Sequence, residues 1–269
     1  MMGTIEVVDG LIKTVPLAGR SIVVTRAEAQ ATELVEALEE LGAEVLRLPT
    51  IRTVPPLDTE SLERAVRSAS GYDWVVFTSA NGVGFFSRTA NEIELGAVRA
   101  LEGSRVCCIG PATAQALEGV GVNVDLSPDV HYAEALLESL SSEGPLPGRR
   151  FLIPTAAKTQ PILPEGLRAL GATVDIVVAY QTILVKGADP GLLERIRSGV
   201  DLITFTSPST VLGFHALLDG KHPGRAAVIG PVTAVMARDL GYPVTVEASP
   251  FTVPGLVDSI VEYFQGGSA

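Results

Sequence analysis

Four strand-to-helix turns hold the residues best placed for chemistry. They are Thr78-Ser79-Ala80-Asn81, Gly110-Pro111-Ala112-Thr113, Thr206-Ser207-Pro208-Ser209 and Gly230-Pro231-Val232-Thr233. A helix start presents unpaired N–H groups and a positive dipole end, and a neighbouring hydroxyl adds a donor, an arrangement suited to carboxylate or phosphate. One start contributes only about 0.3–1 kcal/mol, so several must act together to hold a polyanion. Capping by Ser79 and Ser207 is the plainer role, and it is compatible with ligand contact. Arg26 and Lys158, just past the strand-like runs at Ile22 and Phe151, are candidate cationic contacts, with solvated surface charge as the alternative. Tyr180 follows a strand-like run and offers a phenol, in a setting where an interface tyrosine is the commoner role.

Other chemistries lack their residues. His131 and His222 fall in loop-like stretches and His215 in a helical one, and none has Cys, Asp or Glu at metal-ligand spacing. No GxSxG elbow, phosphate-binding Walker loop or GxGxxG follows the first strand, and Gly82-Val83-Gly84 is too short to count. Cys107 and Cys108 are adjacent inside a strand-like run, which excludes a CxxC pair and a disulfide framework and reads as core. Neither a metal nor a cofactor is expected.

The elements that must position these turns occur twice. Val106-Cys107-Cys108-Ile109-Gly110-Pro111-Ala112-Thr113 returns as Ala226-Ala227-Val228-Ile229-Gly230-Pro231-Val232-Thr233, and Trp74–Ser79 returns as Leu202–Ser207. Gly19-Arg20-Ser21-Ile22, with a helix ending in Leu41-Gly42-Ala43, matches Gly148-Arg149-Arg150-Phe151, with a helix ending in Leu170-Gly171-Ala172. Each later piece lies about 120–130 residues after its partner, so two like-built units are expected to face each other across a cleft.

Within one copy, strands are expected near 22, 45, 75, 106 and 123, alternating with helices, which predicts a doubly wound parallel sheet of flavodoxin-like order. Thr25 and Glu28 form an expected capping box ahead of a helix carrying Ala31, Leu34, Val35 and Leu38, and Gly42 stops that helix. Gly or Ser followed by Pro marks the later helix starts. Pro49 through Pro56 reads as an extended connector, and Gln181 to Val185 as another. In such sheets ligands bind beyond the carboxyl ends of the strands, where all four turns are expected.

Composition agrees. The 269 residues are 46% hydrophobic and carry a net charge of −11, enough for two cores and unfavourable for general binding to nucleic acid or an anionic membrane. The first sixteen residues lack a basic start and a signal-length apolar run, and they read as a loosely ordered extension of a cytoplasmic protein.

With Val24-Thr25-Arg26, Phe77-Thr78-Ser79, Ile109-Gly110-Pro111 with Thr113, Tyr180-Gln181-Thr182, Phe205-Thr206-Ser207-Pro208-Ser209 and Ile229-Gly230-Pro231 with Thr233 in this order, the chain resembles the uroporphyrinogen-III synthase family from about Leu17 to Phe264. The resemblance implies α/β architecture with two flavodoxin-like doubly wound parallel-sheet domains joined by a two-stranded connector. The duplication alone would put the break near Gly148. The resemblance instead implies a discontinuous domain of 1–52 and 182–269, with 53–181 inserted. It further implies a cofactor-free lyase, expected to be monomeric, that cyclises hydroxymethylbilane with inversion of its last pyrrole ring.

On that resemblance Tyr180 assists departure of the substrate hydroxyl. Arg26, Thr78, Ser79, Asn81, Gly110, Thr113, Lys158, Ser207, Ser209, Gly230 and Thr233 are then the expected substrate contacts. Family members often carry arginine where this chain has Thr155, and Lys158 is the candidate substitute. An FMN-binding flavodoxin-like protein, which would be yellow when pure, and a non-catalytic anion-sensing module are the alternatives.

Overall fold

The structure, a computed structural model, describes residues 4–8, 11–159 and 161–266. The chain divides into two compact units, Met1–Arg52 with Ile183–Ala269, and Thr53–Thr182.

The first unit begins with an antiparallel pair, β1 (Thr4–Val8) and β2 (Leu11–Val15), with Thr4 opposite Val15. The expected loose extension is thereby corrected over these strands, because their backbone groups pair with each other; residues 1–3, 9 and 10 lie outside the described residues. Next come β3 (Ser21–Val24), α1 (Glu28–Glu40) and β4 (Glu44–Arg47). The expected Thr25–Glu28 capping box does not form. Thr25 is fully buried and donates its hydroxyl to the Thr204 carbonyl at 2.6 Å, so the N-cap is Ala27, without a side-chain bond.

The second unit, whose boundaries fall within β5 and β9, runs β5 (Ile51–Val54), α2 (Thr59–Ser68), β6 (Trp74–Phe77), α3 (Ala80–Glu92), α4 (Ala97–Ala100), β7 (Arg105–Cys108) and α5 (Pro111–Gly119). It continues through α6 (Ala133–Ser142), β8 (Arg150–Ala156), α7 (Ile162–Ala169) and β9 (Thr173–Leu184). The chain then completes the first unit with α8 (Pro190–Arg197), β10 (Leu202–Phe205), α9 (Pro208–Leu217), β11 (Arg225–Val228), α10 (Pro231–Asp239), β12 (Val244–Glu247) and α11 (Val253–Gly266).

The first unit's larger sheet has the order β12-β11-β10-β3-β4, and every pairing in it is parallel. The second has the order β5-β9-β8-β6-β7, with parallel pairings from β9 to β7. The strand expected near 123 is reduced to one parallel bridge, Cys107 with Leu126. The extended stretches expected after Pro49 and Gln181 are present as β5 and the last part of β9, which are neighbours.

Continuously apolar strands are buried on both faces, as parallel sheets require. In the first unit Ile22 and Val24 pack with α1 and α11 through Leu34, Leu38, Leu256 and Ile260, while Val23 packs on the other side with Phe205, Phe214 and Tyr242. In the second, Val75 and Phe77 meet α2, α3 and α5, whereas Trp74 and Val76 meet α6 and α7. Each such fully buried side chain contributes about 1.5–3 kcal/mol. Cys107 and Cys108 are buried in β7, and burial raises both thiols above their usual range.

One aspartate in each unit tethers the amino end of a parallel strand, β3 in the first and β8 in the second. Asp201 accepts hydrogen bonds from the Ser21 N–H at 2.9 Å, the Ser21 hydroxyl at 3.0 Å and Arg20 at 3.2 Å. Asp73 accepts from the Arg150 N–H at 2.8 Å and pairs with Arg149. These links fix the amino edge of each sheet and leave the opposite edge to carry the turns.

Candidate functional site

Parallel order brings the carboxyl ends of neighbouring strands to one edge, and the candidate residues collect there in two groups, one per unit. In the second unit β6 ends at Thr78, Ser79 and Asn81, β7 at Gly110 and Thr113, and β8 at Lys158. Tyr180 stands level with the end of β8, since Ala156 is its register partner and its carbonyl accepts the Ala157 N–H at 2.9 Å. It was expected after a strand. It lies within β9, because the chain stays extended through Leu184 beside β5. In the first unit β3 leads to Arg26, β10 to Ser207 and Ser209, and β11 to Gly230 and Thr233.

Tyr180 is the most constrained side chain of the second group. It is 8% exposed, its ring stacks on Phe85 with centroids 5.6 Å apart and planes 12° apart, and its OH lies 3.1 Å from Ser79 Oγ. Ser79 is the N-cap of α3 and accepts the Gly82 N–H at 3.1 Å. A Cβ on Gly82 would sit 3.3 Å from the Pro154 carbonyl oxygen, so glycine lets the first turn of α3 close in on β8. Phe85 was not singled out in the sequence, and Gly82 entered only through the discounted Gly82-Val83-Gly84 match. A glycine three residues after an N-cap serine was the available signal, and Phe85 gave none, since an aromatic on a helix is ordinarily core.

The glycine starts differ in backbone. Gly110 has φ of +83°, a conformation that favours glycine, whereas Gly230 at φ 169° is simply extended. Behind them Thr113 and Thr233 are nearly buried, at 4% and 3% exposed. At the start of α9 a full capping box forms between Ser207 and Thr210, and Ser207 Oγ also lies 2.8 Å from Ser209 Oγ.

Arg26 is half-buried at the wall of a hollow of about 510 Å³ that it shares with Glu28, Thr32, Arg47 and Pro49. Burial lowers its guanidinium from the usual range, with Glu33 opposing. Lys158 is exposed in the loop after β8. Thr155 is buried and lines a small hollow with Thr78 and Ile176. Among the described residues no group of three or more His, Cys, Asp or Glu could hold a metal, and no helix is long and apolar enough to cross a membrane.

Parallel α/β units with helix starts and hydroxyls gathered at the carboxyl edge define the class of α/β proteins whose ligand sites lie at that edge. Within that class the comparisons are specific. The family model described as uroporphyrinogen-III synthase HemD matches residues 32–258, and the chain belongs to the uroporphyrinogen-III synthase family. The uroporphyrinogen-III synthase of Synechococcus elongatus is 31% identical over 264 residues, covering 92% of this chain and 97% of the relative. The porphyrin biosynthesis protein HemD of Ruminiclostridium josui is 32% identical over 256 residues, covering 92% of this chain and 49% of the relative. Among solved structures, the Helicobacter pylori enzyme superposes with a TM-score of 0.62 at 16% identity, covering 90% of this chain and 99% of that one. A mutant of the Thermus thermophilus enzyme gives 0.59 at 20% identity, covering 92% and 100%. At these identities the structural likeness speaks to the fold alone.

Proposed function

We propose that this protein cyclises hydroxymethylbilane to uroporphyrinogen III, losing water and inverting the last pyrrole ring. The family match over residues 32–258 carries the reading, because it spans the turns of both units. Two flavodoxin-like domains, 1–52 with 182–269 and 53–181, joined by a two-stranded connector, are the architecture of this reading. Its support is the strand order in each unit: β4-β3-β10-β11-β12 runs 2-1-3-4-5, and β9-β8-β6-β7 with the Leu126 bridge runs 5-4-1-2-3 in chain order, which becomes the same order when the strands are counted from β8, the repeat counterpart of β3. A cytoplasmic monomer is part of this reading, and the net charge of −11 argues against nucleic-acid and anionic-membrane partners.

The substrate carries eight carboxylates. Helix starts at Ser79, Gly110, Ser207 and Gly230, with Thr78, Asn81, Ser209, Thr113 and Thr233 on the same turns and Arg26 and Lys158 as cations, hold its acetate and propionate arms. Departure of the terminal hydroxyl leaves an electrophilic azafulvene-type carbon. The already substituted carbon of the last ring attacks it, and the spiro intermediate fragments and recloses with that ring inverted. The proton lost from the last ring's free α-carbon balances the one taken up by the departing hydroxyl. Tyr180 donates to that hydroxyl as it leaves. An unguided bilane closes without inversion, so restraint of a flexible chain is the main catalytic contribution.

The test supplies enzymatically generated hydroxymethylbilane, oxidises the products and separates the isomers. Type III in excess of a protein-free control supports the reading, and the uninverted isomer alone contradicts it.

A further inference from the structure

We infer that Ser79 is a positioning residue for the cyclisation, acting through Tyr180 by donating a hydrogen bond to the phenol oxygen. The inference rests on the proposed function and changes the role of Ser79 within it, from a contact to a substrate arm to a support for the group that meets the leaving hydroxyl. The 3.1 Å contact allows either hydroxyl to donate, and the inference takes Ser79 as the donor. Ser79 Oγ accepts the Gly82 N–H at 3.1 Å, which engages one lone pair and leaves its single proton to be directed elsewhere. The Tyr180 oxygen stands 3.1 Å away. With Ser79 donating, the Tyr180 proton is free for the substrate; with the bond reversed, that proton would be spent on Ser79.

The chain Gly82 N–H to Ser79 O–H to Tyr180 O–H starts at the positive end of α3, a helix of 13 residues. As the substrate C–O bond breaks, the Tyr180 proton passes to the departing oxygen and water leaves. The negative charge then on the phenol oxygen is met by the Ser79 hydroxyl. The proton released from the last ring's free α-carbon on reclosure returns to Tyr180, so the cycle balances. Phe85 holds the phenol ring by stacking, and Arg88 lies over Phe85 at 4.9 Å, which leaves Ser79 to set the orientation of the OH.

The test is a double-mutant cycle on type III formation, beside a measurement that needs no turnover. Ser79→Ala is expected to lower kcat about 3–10-fold with little change in KM, the loss of one hydrogen bond made in the transition state. Ser79→Thr, which keeps both hydroxyl and cap, restores most of it. In the Tyr180→Phe background Ser79→Ala has no further effect. Asp189→Ala, which removes the N-cap of α8, lowers stability and leaves kcat unchanged. Losses that multiply in the double variant, or a loss confined to KM, would overturn the inference and return Ser79 to a direct substrate contact. Independently, with tyrosine labelled at Cζ, the Tyr180 resonance, assigned by its absence in Tyr180→Phe, shifts in Ser79→Ala and recovers in Ser79→Thr. An unmoved resonance would also overturn it. A wild-type protein that made no type III isomer while the resonance moved would sink the proposed function and leave the hydrogen bond standing.

Discussion

The starts of α3 and α9 are copies of one another, yet their serines are engaged differently. Both follow an apolar strand ending in Phe-Thr-Ser, and both serines cap their helices. At α9 the third helical residue is Thr210, whose side chain closes a capping box on Ser207, and Ser207 pairs with Ser209. At α3 that residue is Gly82, with no side chain to close the box, and the Ser79 hydroxyl reaches Tyr180. Glycine in place of threonine at N3, together with a tyrosine in reach of only one serine, thus separates a start occupied with its own helix from one linked to a candidate acid. The amino edges, by contrast, kept the same aspartate tether in both copies. Duplication preserved the scaffold at one edge and let the residues at the other diverge.

Removing the phenol that only one copy uses is expected to have the largest effect. Tyr180→Phe should lower kcat on the order of 100-fold, the lower end for a positioned acid, while the circular dichroism spectrum and thermal midpoint stay near wild type; turnover unchanged in a steady-state assay would remove Tyr180 from the mechanism. The two Ile-Gly-Pro turns come next. Gly110→Ala forces a non-glycine residue to φ +83° at a cost of about 1–3 kcal/mol, whereas Gly230→Ala keeps an extended backbone with its Cβ at ordinary contact, 3.4 Å, from Phe251. Thermal melts should therefore show Gly110→Ala several degrees lower, and equal midpoints would contradict the distinction.

Smaller again is Thr25→Val. It deletes the buried bond to the Thr204 carbonyl, which has no counterpart in the second unit, where Pro154 and Val76 occupy the matching places. Denaturant titration should register a loss of about 1 kcal/mol.

The smallest effect concerns pH. The Arg150 N–H and Arg149 hold the Asp73 carboxyl below its usual range. At Asp201 partial burial pushes upward, but the Ser21 and Arg20 hydrogen bonds outweigh it and the carboxyl again lies low. A depressed value in the folded state means stability that is complete above the unfolded value of about 4 and is lost as pH falls through the folded one. Asp73→Asn and Asp201→Asn should each flatten the acid limb of a stability–pH curve; curves of unchanged slope would show that these tethers are not linked to protonation.

The repeated strands were legible because continuous apolar runs ending in Gly or Ser carry their own boundaries, and β3, β4, β6 and β7 lie where the runs at 22, 45, 75 and 106 put them. Gly42, at φ +91°, stops α1 for the reason its residue type suggested. Local signals failed where tertiary contacts took the polar groups. Thr25 has the spacing of a capping box but is drawn into the sheet by the Thr204 carbonyl, and the run near 123 keeps only its Leu126 bridge. The hairpin of β1 and β2 had a signal in the sequence, Asp9-Gly10 between the runs Thr4–Val8 and Leu11–Val15, which the reading of the first sixteen residues as a loose extension passed over. At the candidate site the hydroxyl-bearing turns were visible as residue types. The orientation of those hydroxyls was not, since the burial of Thr113 and Thr233 and the contact between Ser79 and Tyr180 arise only once strands far apart in sequence are side by side.

The central claim is that restraint of the bilane, more than any one reactive side chain, decides how the ring closes. The isomer composition formed from hydroxymethylbilane by wild type and by Tyr180→Phe, measured in one assay, tests it most directly. Type III in excess from both, with the variant slower, is the predicted result. Only the uninverted isomer from the wild-type protein, or a loss of inversion when the phenol alone is removed, would contradict the account.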